Sequence, residues 1–148
     1  MNRMIRSAVL SAAFGLIAAA QPVVTGALNT ASYAVPGLPS SGLAQGSMIA
    51  IFGRNLGPAS IVQANSFPLP ATLGGTSAKI TSGGQTVDLV MVYSLATQVG
   101  AIVPSNTPVG NAQLTVSYNG QTSASFAVQV VASQFGIFTI NQAGSGPA

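Results

Sequence analysis

The chain has 148 residues, 48% of them hydrophobic, with four Lys or Arg, one acidic residue and no His, Cys or Trp. General acid–base and nucleophilic catalysis need proton carriers and soft nucleophiles, and metal sites need clustered His, Cys or carboxylates. This composition supplies almost none, which excludes a paired-carboxylate hydrolase and a disulfide-stapled scaffold and argues against any catalyst.

Residues 1–6 carry Arg3 and Arg6, and residues 7–20 form an uninterrupted apolar and small-residue run ending Ala18-Ala19-Ala20 before Gln21. A basic start, an apolar stretch of this length and a small-x-small exit describe a secretory signal peptide cleaved after Ala20. A membrane anchor would need about twenty apolar residues, so no membrane span is expected after cleavage. Cleavage also removes half of the basic residues and leaves Arg54 and Lys79 against Asp88. Nucleic-acid and anionic-lipid binding draw on clustered Lys and Arg, so no nucleic-acid partner is expected. A mature chain of ordinary single-domain length can stand on burial alone.

From Gln21 onward, short apolar runs alternate with Gly, Pro, Ser, Thr and Asn, and no long stretch has helical periodicity. This is the all-β pattern. Residues 21–27 read as an N-terminal linker, 28–140 as the folded domain and 141–148, rich in Gly, Ser and Ala, as a disordered tail. Strands are predicted over 48–52, bounded by Gly46 and Gly53, and over 76–81, between Gly74-Gly75 and Gly83-Gly84. Residues 85–93 form the strongest single strand, with Val87, Leu89, Met91 and Tyr93 on one face and Thr86, Asp88, Val90 and Val92 on the other. A further strand over 99–103 stops at Pro104, which cannot donate to a central ladder. Residues 112–118 and 121–131 flank Asn119-Gly120, the signature of a type I′ hairpin, because both turn positions need positive φ. Alternation on both arms (Leu114, Val116 and Tyr118 in the first, Phe126, Val128 and Val130 in the second) implies one buried and one wet face, as in a sandwich. Residues 35–45 and 57–70 read as proline-broken loops.

These residues also carry a family likeness. Gln45-Gly46-Ser47-Met48 through Gly53-Arg54-Asn55-Leu56 resembles the opening of IPT/TIG domains, in which a Gly-Ser turn leads into a strand ending Gly-x-Asn-Leu. Leu73-Gly74-Gly75-Thr76, Thr97-Gln98 through Val103-Pro104, and Val109-Gly110-Asn111 with Asn119-Gly120 resemble later strands of that family. Leu28-Asn29-Thr30-Ala31-Ser32-Tyr33, Pro68-Leu69-Pro70 to Gly75, and Phe135-Gly136-Ile137-Phe138-Thr139 are similar to a group of secreted proteins abundant in Acidobacteria such as Solibacter. The resemblance implies an immunoglobulin-like (E-set, IPT/TIG-type) β-sandwich without enzyme activity. In that group the pattern runs on past the Gly-Ile-Phe-Thr exit, so the end at Ala148 is expected to be a truncation.

Candidate site residues are few. Asp88 reads as a charge that interrupts an aggregation-prone run. Ser77 and Lys79 share a strand face, but a Ser-Lys nucleophile pair would need a desolvated lysine, which a wet face does not supply. Arg54 could meet an acidic or sugar ligand, or be simply solvated. Tyr33, Tyr93 and Tyr118 could stack on a carbohydrate, although Tyr93 and Tyr118 read first as core-edge residues with wet hydroxyls. Asn55 and Asn119 read as turn formers. The expectation is no catalytic, cofactor-binding or metal-ligating residue and no cofactor. The expected role is a secreted or cell-surface binding or adhesion module contacting an extracellular protein or polysaccharide. The alternative is a structural subunit of an extracellular assembly, since an uncharged surface and open sheet edges favour self-association.

Overall fold

A computed structural model of the protein describes residues 20–34, 36–38 and 41–138. The proposed signal peptide, apart from Ala20, and the tail at 141–148 lie outside the described residues. The strands are β1 (Val23–Asn29), β2 (Leu43–Ala44), β3 (Met48–Arg54), β4 (Val62–Gln63), β5 (Thr72–Leu73), β6 (Thr76–Ser82), β7 (Gln85–Asp88), β8 (Val90–Ser94), β9 (Gln98–Ile102), β10 (Gly110–Tyr118), β11 (Gln121–Thr122) and β12 (Phe126–Val131). There is no helix among the described residues.

Among the described residues the strands form two sheets. One has five strands in the order β1-β3-β9-β8-β4. The other has seven, in the order β2-β12-β10-β6-β5, with β11 added to β10 and β7 to β6. Every pairing is antiparallel except that of β12 with β2. Ile49, Ile51, Met91, Val99 and Ala101 from the first sheet pack in one buried cluster with Ala78, Ile80, Leu114, Val116 and Val130 from the second. These residues are inward-facing positions of alternating strands, so the chain is an all-β sandwich closed over one core.

Several expectations are corrected. The segment read as a linker enters the sheet, because Val23–Asn29 pairs with β3 from Val23↔Arg54 to Asn29↔Ile49, with a register shift between Val24 and Gly26. The loop segments each hold a short paired strand, β2 on β12 and β4 on β8. The outgoing hairpin arm is split. Ser117 pairs with Thr122 but Leu114 with Phe126, so that arm carries one extra residue. Ser123 absorbs the misfit: its N–H donates to Val116 O (2.8 Å) and its Oγ accepts from Val116 N–H (3.1 Å).

The largest correction concerns 85–93. It is two strands in different sheets, β7 on β6 and β8 on β9, which meet at fully buried Leu89. Leu89 N–H still donates to Ala78 O on β6 (2.9 Å), whereas Met91 N–H donates to Pro70 O (2.8 Å). A bulge between Met91 and Tyr93 then shifts the phase. It puts Ser94 inside, fully buried, and leaves Tyr93 half-buried.

The hairpin turns follow local chemistry. Asn119 and Gly120 both have positive φ (47° and 82°), as type I′ requires. Gly74-Gly75 and Gly83-Gly84 also have positive φ at both positions and close two-residue hairpins onto either end of β6.

Candidate functional site

The structure separates the residues singled out from the sequence into three places. On the exposed face of the seven-stranded sheet, Lys79 and Asp88 are directly opposed, with Nζ 3.3 Å from Oδ1 and side chains 49% and 58% exposed. Lys79 is thus a solvated cation holding a carboxylate. Ser77 sits in register between Thr72 and Ser117. The geometry gives this serine no oriented base.

The second place is the outer face of the five-stranded sheet. Tyr93 lies opposite Gly100, where an added Cβ would collide with the Tyr93 ring. Its hydroxyl accepts a hydrogen bond from Gln98 Nε2 (2.6 Å). Burial raises the pKa of this phenol above its ordinary value of 10.0, the Gln98 bond offsets part of the rise, and Tyr33 adds to it. Tyr33 has a φ of 47°, and its ring centroid is 6.4 Å from that of Phe52. The three tyrosines therefore do not make one stacking platform.

The third place is a cleft of about 240 Å³ at one end of the sandwich, lined by Ala20, Asn55, Gly57, Ala59, Ala96, Tyr118 and Asn119. Three turns converge on it: the bend after β3, the β8–β9 connection and the β10–β11 hairpin. Asn55 and Asn119 are both left-handed (φ 56° and 47°), a conformation asparagine tolerates better than most residues. Each therefore bends the chain at the cleft wall, with Asn55 Nδ2 3.5 Å from Gln21 O and Asn119 Oδ1 packed over Gly75.

Hydrogen bonds fix the rim. Leu56 N–H donates to Ala96 O (2.9 Å), and Asn119 N–H to Gly75 O (3.1 Å). Beneath the rim, Ser94 Oγ donates to Thr76 Oγ1 (2.7 Å), which donates to Leu56 O (3.0 Å). Both hydroxyls are fully buried. Gly57 packs so close over this pair that an added Cβ would overlap Ser94 Oγ. Gln21 Nε2 donates to Thr122 O (2.6 Å), and Asn55 Nδ2 lies 3.5 Å from Gln21 O, which ties the start of the described chain to the hairpin.

No charged side chain lines this cleft; Arg54 is exposed just before it. Two amides and one aromatic ring can hydrogen-bond and stack, and no general acid or base is on hand. A second cleft, of about 250 Å³, is lined by Ala27, Pro36, Leu43, Phe126 and Val128 with Asn111 and Gln129. The sequence signal for it was the Phe126-Val128 alternation, read only as core. No group of three or more potential metal-ligating residues exists among the described residues. No helix among them is long and apolar enough to cross a membrane.

No protein-family model matches the chain, and no curated protein does. It is similar to a solved structure from Bacteroides vulgatus ATCC 8482, described as a "Putative bacterial DNA binding protein", with 14% identity and a TM-score of 0.47. It is also similar to an auxiliary nutrient binding protein from Bacteroides thetaiotaomicron VPI-5482, with 17% identity and a TM-score of 0.40. The matches cover 75% and 77% of this chain but only 47% and 21% of those proteins. The description of the first conflicts with the sequence-based exclusion of a nucleic-acid partner, and that exclusion is withdrawn. Its physical weak point is plain: backbone N–H groups and Ser, Thr, Asn and Gln side chains also bind phosphates, and this surface is rich in them.

Proposed function

We propose that the chain is an exported, non-catalytic immunoglobulin-like module of the IPT/TIG type that binds an uncharged, hydroxyl-rich ligand, a glycan before a protein loop, in the end cleft. The observation that carries this reading is the convergence of Asn55, Tyr118 and Asn119 on one cleft whose rim is tied by backbone hydrogen bonds. Preorganised amides beside an aromatic ring lower the ordering cost of binding. The leader pattern, with its small-x-small exit at Ala20, supports export. The sequence likeness to the Acidobacteria group supports an E-set topology for the module.

The test uses glycine as a conformational mimic. Asn55→Gly and Asn119→Gly keep the positive φ and delete only the amide. The exported protein should be retained on neutral polysaccharide, and both variants should fold normally yet elute earlier. Lack of retention on any neutral polysaccharide would sink the reading. The structural-subunit alternative rests on the outer edge of β1, which is unpaired among the described residues.

A further inference from the structure

The geometry points to a cleft that is completed by processing: cleavage after Ala20 opens it, leaves the α-ammonium group of Gln21 at its edge, and gives it a preference for carboxylate-bearing sugars. This inference rests on the proposed binding function and on the proposed cleavage site.

Ala20 is part of the cleft wall, and both Ala20 and Gln21 are exposed, two residues and more ahead of the first strand residue Val23. The junction is thus accessible in the folded domain. Removing Ala20 takes away wall and leaves Gln21 N where the peptide link was. Gln21 itself is held in place from both ends of the residue. Its side-chain amide donates to Thr122 O (2.6 Å), and its carbonyl faces Asn55 Nδ2 at 3.5 Å. Its α-nitrogen is therefore positioned by the same hairpin and bend that supply Tyr118, Asn119 and Asn55. Pro22 follows and restricts the backbone further.

A new cation here would face little competition. Tyr118 is the one titratable side chain in the lining. Arg54, opposite Val23 in the β1–β3 pairing, is the nearest charge in register. The single acid, Asp88, is engaged by Lys79 on β6 and β7. An α-amino group has an ordinary pKa of about 7.7–8.0, so it is a cation at neutral pH and loses its charge above that range. An exposed ion pair is modest, and the expected gain for an acidic over a neutral ligand is roughly two- to fivefold.

The experiment compares an oligogalacturonide with its fully methyl-esterified form, titrated into the exported protein and followed by amide NMR shifts. Mass spectrometry first identifies the N-terminus. A control form is made by acetylating the Gln21 α-amine, in which the α-nitrogen attacks a carbonyl of acetic anhydride, acetate leaves with the proton, and the terminus becomes a neutral amide that keeps Gln21 Nε2 on Thr122 O. The inference expects tighter binding of the free acid than of the ester at pH 6.5, loss of that preference by pH 9, and no preference in the acetylated form. Equal binding of acid and ester by both forms leaves the binding function standing and overturns the inference. An N-terminus other than Gln21 overturns it as well. Absence of binding of either oligosaccharide by either form also overturns the inference, and it overturns the binding function itself only together with a lack of retention on every neutral polysaccharide.

Discussion

Thr76 and Ser94 are buried hydroxyls on opposite sheets, joined to each other and to Leu56 O. Such a chain is costly to break, because removing one partner leaves a buried donor without an acceptor. Thr76→Val, nearly the same shape, should lower stability by about 1–3 kcal/mol in urea unfolding and loosen the bend that carries Asn55. An effect within error would mean that water replaces the hydroxyl. Tyr93 gives a prediction in pH. Its folded-state pKa is raised by burial, so the unfolded chain gives up this proton first as pH rises. The associated stability is fully present below the unfolded value of about 10 and is lost above it. Tyr93→Phe should therefore flatten the alkaline limb of a stability–pH curve, at the cost of the Gln98 hydrogen bond. An unchanged limb would contradict the assignment.

The element of most consequence is the β7–β8 passage, because it stitches the two sheets together at Leu89. The side chain is fully buried, and Leu89→Ala should cost about 2–5 kcal/mol, the range for leucine truncation in a core. Asp88→Asn, one residue earlier, should cost under about 1 kcal/mol, because the Lys79 pair is half exposed and screened. Comparable losses for both would mean that the ion pair anchors the crossing as much as the leucine does. The alternation of Val87, Leu89 and Met91 was legible in the sequence, and it continues in phase through the switch. That is why the switch itself was invisible: a strand that changes sheets keeps the same inward face. Strand β1 was hidden for a different reason, since Pro22 and Gly26 imitate a linker while Gly26 flanks a register shift. Asn119-Gly120 could be read from local φ requirements alone. Asn55 and Asn119 were legible as turns, but their meeting at one cleft depends on sheet closure, which no local pattern encodes.

At the scale of the whole molecule, export would leave Arg54 and Lys79 against Asp88, a net charge of +1 before the chain ends are counted. Little electrostatic repulsion then opposes contact between copies. Strand β1 pairs only with β3, so its outer edge is free among the described residues, and Val23–Asn29 contains no charge. Natural sheets blunt such edges with Lys, Pro or bulges. Here Pro22 precedes the strand and the register shift at Thr25 interrupts it, which leaves residues 26–29 as the regular stretch. Phe135 and Phe138, 83% and 66% exposed, add apolar surface after β12. The expected outcome is weak self-association that grows with concentration in sedimentation velocity and changes little with added salt, because there is little net charge to screen. Thr25→Lys places a charge on the exposed edge and should shift the equilibrium toward monomer without altering the sandwich. A single monomeric species at the highest soluble concentration would remove the structural-subunit alternative and leave the end cleft as the working surface.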